Sequence, residues 1–362
     1  MPTYCANTKV VALLLALSLG WSGCAPTVLP QNITSGETSH EVTAIPSLTL
    51  VRYGGQMQAS DVGLFLATDR GYFTEQGIKI DYVQMPSVTD IVAQMLARQL
   101  DIGGAAVNAV LINAVARGAN IKAVADKGSI LPGFGWQAFI VRKDLVTSGR
   151  VRNIDDLRGL IYATIPPLYG AQSYPMLRRL LTSAGLTEAD LADVKALDFP
   201  SINAALAGGS IDFASQLEPM VQAAVKQDIA VRWKGFDEIT PDHPVSTLIY
   251  GPSIIEDNRE LGRRLMIGYL KGVRDYYRAV TTGEGRDSVY EVIATYSIVK
   301  DMEAIRQSVP VGLHPNGRIN IEGLIEDQRY YVEKGTVPQP IDMYQLVDMG
   351  YVEAAVQQLG AY

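Results

Sequence analysis

Two cysteines, three histidines and the lack of any basic block set the first limits on this 362-residue chain. Cys5 and Cys24 both lie near the amino terminus, so the body carries no thiol and can form no internal disulfide. His40, His243 and His314 are far apart in sequence, and so sparse a set suggests neither a metal cluster nor a histidine-dependent triad. A phosphate loop and a dinucleotide fingerprint are both missing. The formal charge of −7, with no Lys/Arg run, argues against nucleic acid or an anionic membrane surface as a partner. These absences point away from an enzyme and toward a protein that binds without metal or cofactor.

What the chain does have is apolar bulk, 48% hydrophobic against 19% charged, over a length greater than one core normally supports. Two lobes or domains are expected. Residues 1–23 hold one lysine, Lys9, and then the apolar run 10–19, which is too short to span a bilayer and has the length of a signal-peptide core. Trp21-Ser22-Gly23-Cys24 follows and resembles the lipobox of bacterial lipoproteins, whose cysteine receives a fatty acyl group such as palmitate. Trp21 departs from that pattern, where an aliphatic residue is usual, and a cleaved signal with an incidental cysteine is the alternative. Residues 24–46 are rich in Thr, Ser and Pro and read as a flexible tether behind the anchor.

The body is organised around residues 96–118, LARQLDIGGAAVNAVLINAVARG, which read as a helix end, a short buried strand and a helix start. Residues 206–225, LAGGSIDFASQLEPMVQAAV, repeat that order, with Asp212-Phe213-Ala214-Ser215 standing where Asp101-Ile102-Gly103-Gly104 stood. In each copy an aspartate opens the strand and small residues close it, leaving helix-start N–H groups for a ligand's oxygens, although any tight strand-to-helix turn needs the same residues. Two copies in register predict two lobes facing one another across a ligand site at the strands' carboxyl ends. Ile78, Ile80 and Tyr82 alternate with Lys79 and Asp81, which predicts an edge strand. Residues 136–141 read as a strand that crosses between lobes, and residues 245–250 as its return, giving a two-strand hinge. Leu261, Leu265, Tyr269, Val273 and Tyr277 then form the stripe of a long helix, followed by further helices packing back on the first lobe. Lobe 1 is expected over 47–140 plus 245–362, and lobe 2 over 141–244.

Several short motifs, in order, carry a resemblance: Gly71-Tyr72-Phe73-Thr74-Glu75-Gln76-Gly77-Ile78, Gln99-Leu100-Asp101-Ile102-Gly103, Asp156-Leu157-Arg158-Gly159, Gly208-Gly209-Ser210-Ile211-Asp212 and Glu218-Pro219. Over residues 48–356 the chain resembles the solute-binding proteins of bacterial ABC importers in the nitrate, sulfonate and taurine-type group, which includes thiamine-pyrimidine and riboflavin binders. The resemblance implies an α/β, two-lobed periplasmic-binding-protein type II fold that closes over one small solute and delivers it to a permease and its ATPase, without covalent chemistry. A monomer is expected, and the lipobox-like Cys24 would hold it on the extracytoplasmic face of the cell membrane. A related branch makes the thiamine pyrimidine enzymatically, but it needs a cysteine-rich loop that this chain lacks.

Carried over by position, the resemblance places Gln56, Met57, Gln58, Asn108, Tyr169, Gln172, Ser173, Gln216 and Glu218 around the cleft, and the aromatics Trp136 and Tyr174 stand near these loops in sequence. For Glu218 a first-turn acid favoured by the helix dipole is the alternative. The candidate loops hold no Lys or Arg, and their amides and aromatics suit an uncharged heteroaromatic solute, riboflavin or a thiamine-type pyrimidine. Backbone amides at two helix starts keep an alkyl or aryl sulfonate, taurine or nitrate open. For the anchor, metabolic labelling with palmitate is expected to mark the wild-type protein and to vanish in Cys24→Ala; label that persists would contradict it.

Overall fold

The computed structural model describes residues 48–362, so the leader, the tether and Cys24 lie outside the described part. Its strands are β1 (Thr49–Gly55), β2 (Ile78–Gln84), β3 (Ile102–Ala105), β4 (Lys122–Ile130), β5 (Gln137–Arg142), β6 (Ile161–Thr164), β7 (Asp193–Ala196), β8 (Phe213–Leu217), β9 (Ala230–Gly235) and β10 (His243–Tyr250). They form two five-stranded sheets, ordered β2-β1-β3-β10-β4 and β7-β6-β8-β5-β9. Each sheet begins with three parallel strands and takes an antiparallel strand in fourth place, β10 in the first and β5 in the second. Helices connect the parallel strands in both, which is the two-lobed α/β architecture expected. β2 is an edge strand with the alternating burial its sequence predicts.

One expectation is corrected at the hinge. Residues 136–141 do not bridge the lobes, because β5 is held on both sides within the second sheet by β8 and β9. The chain crosses instead in residues 131–136 and returns in residues 236–242, so each antiparallel strand is the first one laid down after a crossing. β4 runs over nine residues, Lys122–Ile130, and its second half carries Lys127.

The long helix Arg259–Thr282 buries Leu261, Leu265, Tyr269 and Val273 against the first lobe, each such side chain contributing about 1.5–3 kcal/mol. It lies so close to helix Val62–Asp69 that a Cβ on Gly272 would collide with the Gly63 carbonyl. Helix Ile321–Glu333 departs from the expected packing on the first lobe alone. Asp327 in it is 1% exposed, and a buried carboxylate needs partners. His243 of β10 supplies one at 2.9 Å, while Arg179, from helix Ser173–Thr182 of the second lobe, supplies another at 3.0 Å. Tyr174 stacks on Tyr330 beside them, 5.7 Å between centroids, so this C-terminal helix ties the two lobes together.

The two strand-opening aspartates do the same work in both lobes. Asp101 exchanges backbone and side-chain bonds with Arg52 of β1: its N–H donates to the Arg52 carbonyl at 3.0 Å, and its carboxylate accepts from the Arg52 N–H at 2.9 Å and from the guanidinium at 2.8 and 3.0 Å. Asp212 repeats the pattern on β6, donating to the Ile161 carbonyl at 2.9 Å and accepting from the Ile161 N–H at 2.9 Å and from Arg142 at 3.2 Å. Burial would push the Asp101 carboxyl up, but hydrogen bonds from Arg52 and from the Ser253 hydroxyl outweigh it and hold the group below the usual carboxylate range. A depressed carboxylate stabilises the fold fully above its unfolded value of about 3.9 and progressively less as pH falls below that. Asp101→Asn is therefore expected to cost about 1–3 kcal/mol in urea unfolding at pH 7, with the gap from wild type narrowing below about pH 4. A gap that stays constant into acid would contradict this role.

Candidate functional site

The carboxyl ends of the parallel strands in both sheets open onto one cleft of about 190 Å³. From the first lobe it is lined by Gln56, Gln58, Ser60 and Asp61 after β1, by Pro86 to Thr89 after β2, and by Gly104, Ala106 and Asn108 at the end of β3. From the second it is lined by Trp136 and Gln137 at the start of β5, by Ile165, Pro166, Pro167 and Gln172 after β6, by Asp198 and Phe199 after β7, and by Leu217. Parallel strands leave their carboxyl ends to loops and helix starts, so polar side chains such as Gln58, Asn108 and Gln172 stand in the lining among apolar ones such as Ile165, Pro166 and Leu217.

Of the residues named from the sequence, Gln56, Gln58, Asn108, Trp136 and Gln172 line this cleft. The other six are held elsewhere by visible contacts. Met57 is buried, and its carbonyl accepts from Ile298 N–H. Tyr169 is on the surface, edge-on to Tyr174 and beneath the Lys334 ammonium. Ser173 bonds the Thr164 hydroxyl, and Tyr174 is fully buried against Tyr330. The Gln216 amide donates to the Phe199 carbonyl at 3.0 Å and to Asn203 at 3.2 Å, and accepts from the Leu217 N–H at 3.0 Å, so its hydrogen bonds tie β8 to the helix beside it. Glu218 accepts from the Gln222 N–H at 3.2 Å at the start of helix Met220–Lys226 and lines a separate small hollow with Tyr276 and Tyr290. Burial raises its carboxyl, opposed by the Gln222 N–H and by Arg232. Glu218 stands before the N-cap Pro219 rather than in the first turn, and reaches that turn through the Gln222 N–H.

Three glutamines give the cleft its chemistry. Gln58 Oε1, Gln137 Oε1 and Gln172 Nε2 are buried and have no hydrogen-bond partner. Leaving such an atom unpaired costs about 1–3 kcal/mol, so an occupant of the cleft, solute or water, that offers two donors and an acceptor would be stabilised there. Trp136 anchors its indole N–H on the Ser129 carbonyl at 3.1 Å, which fixes the ring at the cleft wall. Asn108 caps helix Ala109–Ala116: its Oδ1 accepts from the N–H groups of Val110 at 3.0 Å and Leu111 at 3.2 Å. The Ala109 N–H donates across to the Gly170 carbonyl at 3.4 Å, and Ile112 N–H to the Asn108 carbonyl. The N–H groups of Ala109, Val110 and Leu111, which the first turn leaves without intrahelical acceptors, are therefore occupied.

Sequence reasoning missed a buried ion pair in the same cleft. Lys127 Nζ donates to Asp61 Oδ1 at 2.6 Å and to Ser60 Oγ at 3.0 Å, with the two side chains 4% and 1% exposed. Asp61 also accepts from the Tyr53 hydroxyl and from the Gln58 N–H at 2.9 Å. Gly104 makes room for this: a Cβ there would collide with the Tyr53 hydroxyl and the Lys127 stem. Nothing local in sequence pairs residues 66 apart, but a rule that inspects every parallel-strand end would have reached Ser87 and Asp198.

A family model described as NMT1/THI5 like matches residues 58–279. No curated protein matches the sequence significantly. Solved structures of similar fold include the ligand-binding component of an ABC-type import system from Staphylococcus aureus, determined with zinc bound: 14% identity, TM-score 0.70, covering 85% of this chain and 99% of that one. The periplasmic aliphatic sulphonate binding protein SsuA from Escherichia coli aligns at 20% identity and TM-score 0.65, over 83% and 92% of the two chains. The periplasmic nitrate-binding protein NrtA from Synechocystis aligns at 13% identity and TM-score 0.70, over 87% and 90%.

Proposed function

From the premise that this chain belongs to the NMT1/THI5-like family, we propose that it is the extracytoplasmic solute-binding protein of an ABC importer, anchored through Cys24, and that its solute is a small uncharged heteroaromatic ring. The protein works as a monomer, holds the solute between its lobes and hands it to a permease with its ATPase. The observation that carries this reading is the set of unpartnered amide atoms on Gln58, Gln137 and Gln172, drawn from both lobes into one cleft. A planar ring edged with amino and ring-nitrogen or carbonyl groups meets two acceptors and a donor, while the Trp136 indole offers it an apolar wall. The cleft volume of about 190 Å³ lies below the roughly 300–1,000 Å³ of sites for larger ligands, which favours a pyrimidine over a flavin.

A sulfonate or nitrate solute is the second reading, supported by the names of the SsuA and NrtA neighbours. Against it stand the occupied N–H groups at the start of helix Ala109–Ala116 and a lining whose single lysine is already paired. Binding rather than catalysis is favoured because that lysine is held by Asp61 and Ser60, and no histidine lines the cleft among the described residues.

Titration calorimetry of the purified protein with a hydroxymethyl aminopyrimidine, riboflavin, taurine and nitrate decides between these readings. The pyrimidine is expected to bind and to change tryptophan fluorescence. Gln58→Ala or Gln172→Ala should each weaken it by roughly 5–30-fold, the equivalent of about 1–2 kcal/mol. Tight binding of taurine or nitrate, with no heat from either ring compound, would overturn the ring reading.

A further inference from the structure

The ion pair at the cleft floor has a geometry that bears on selectivity. Asp61 already accepts three hydrogen bonds, from the Tyr53 hydroxyl, the Gln58 N–H and Lys127 Nζ, and so keeps about one acceptor site for an incoming donor. Lys127 is different: an ammonium carries three donors, and Ser60 and Asp61 take two of them. The remaining donor belongs to a cation that lines the cleft. Asp198, exposed at the rim, is the only other charged lining residue, so the cleft sets one lysine against two aspartates.

We propose that Asp61 is a specificity-determining residue that excludes anions from the cleft by cancelling Lys127, leaving a charge-assisted donor without a net positive charge. A neutral solute with a carbonyl or ring-nitrogen acceptor takes the third Lys127 donor and leaves the buried charge balanced. A sulfonate or nitrate taking the same donor leaves a buried excess of negative charge, which the low-dielectric floor penalises heavily. The neutral preference rests on the ring reading above, but the cancellation is a property of Asp61 and Lys127 themselves.

The test compares wild type, Asp61→Asn and the double variant Asp61→Asn with Lys127→Met, using nitrate, methanesulfonate and a hydroxymethyl aminopyrimidine in calorimetry at matched ionic strength. Asp61→Asn keeps the shape and frees the lysine charge, and should gain at least about tenfold in affinity for nitrate or methanesulfonate. The double variant should lose that gain, because its cation is gone. If Asp61→Asn melts too low for calorimetry, the same gain is read as a rise in melting temperature with methanesulfonate that wild type and the double variant lack. Should wild type ignore the pyrimidine while Asp61→Asn still gains anion affinity, the ring reading fails and the filter stands. Tight anion binding by wild type, or an Asp61→Asn protein that folds and gains none, overturns the filter.

Discussion

Each lobe depends on one aspartate that opens its central parallel strand. β3 and β8 share only two registered residue pairs with their parallel neighbours, Tyr53 to Ile102 and Gly54 to Gly103 in one lobe, Tyr162 to Phe213 and Ala163 to Ala214 in the other. So short a pairing specifies register weakly, and a slip of one residue would turn every side chain to the opposite face. Beside the antiparallel pairings with β10 and β5, Asp101 and Asp212 fix that register by closing a ring of backbone and carboxylate hydrogen bonds with the parallel neighbour. Because these rings sit at the amino ends, the carboxyl ends of β3 and β8 are left to carry turns and polar side chains.

Those carboxyl ends converge from both lobes, and the crossings at residues 131–136 and 236–242 keep them facing. The result is a cleft whose polarity comes from amides and whose one buried cation is balanced. Neutral hydrogen-bonding groups held by packed walls can discriminate by shape and donor pattern, whereas a strong anion needs an excess of positive charge or open helix starts. Asn108 closes one such helix start, and Asp61 cancels the lysine. Both features support the neutral solute proposed above over a strong anion.

The lobed plan was legible because it is written in local pattern. The repeated Asp-to-small-residue strand, the alternation of β2 and the four-residue stripe of helix Arg259–Thr282 all report periodicities that burial enforces. Boundaries were less legible: an apolar strand such as β5 looks the same whether it crosses or stays, and only its partners β8 and β9 decide. In the cleft, Gln56, Gln58, Asn108, Trp136 and Gln172 could be placed by position after a strand or at its start. Tyr174, Ser173 and Gln216 stand within a few residues of the same strand ends yet turn into packing against Tyr330, Thr164 and Phe199, while Tyr169 lies on the surface and Glu218 faces Arg232 and the Gln222 N–H. The Lys127 and Asp61 pair was invisible for the same reason, since its partners lie on different elements.

A crystal structure of the protein with a hydroxymethyl aminopyrimidine bound tests most directly whether one cleft between the lobes holds the solute. The ring is predicted to lie between the two sheets, within hydrogen-bond distance of Gln58 from the first lobe and of Gln137 or Gln172 from the second. Density for the ring on a single lobe, or outside the cleft with all three glutamine amides still unpartnered, would contradict it.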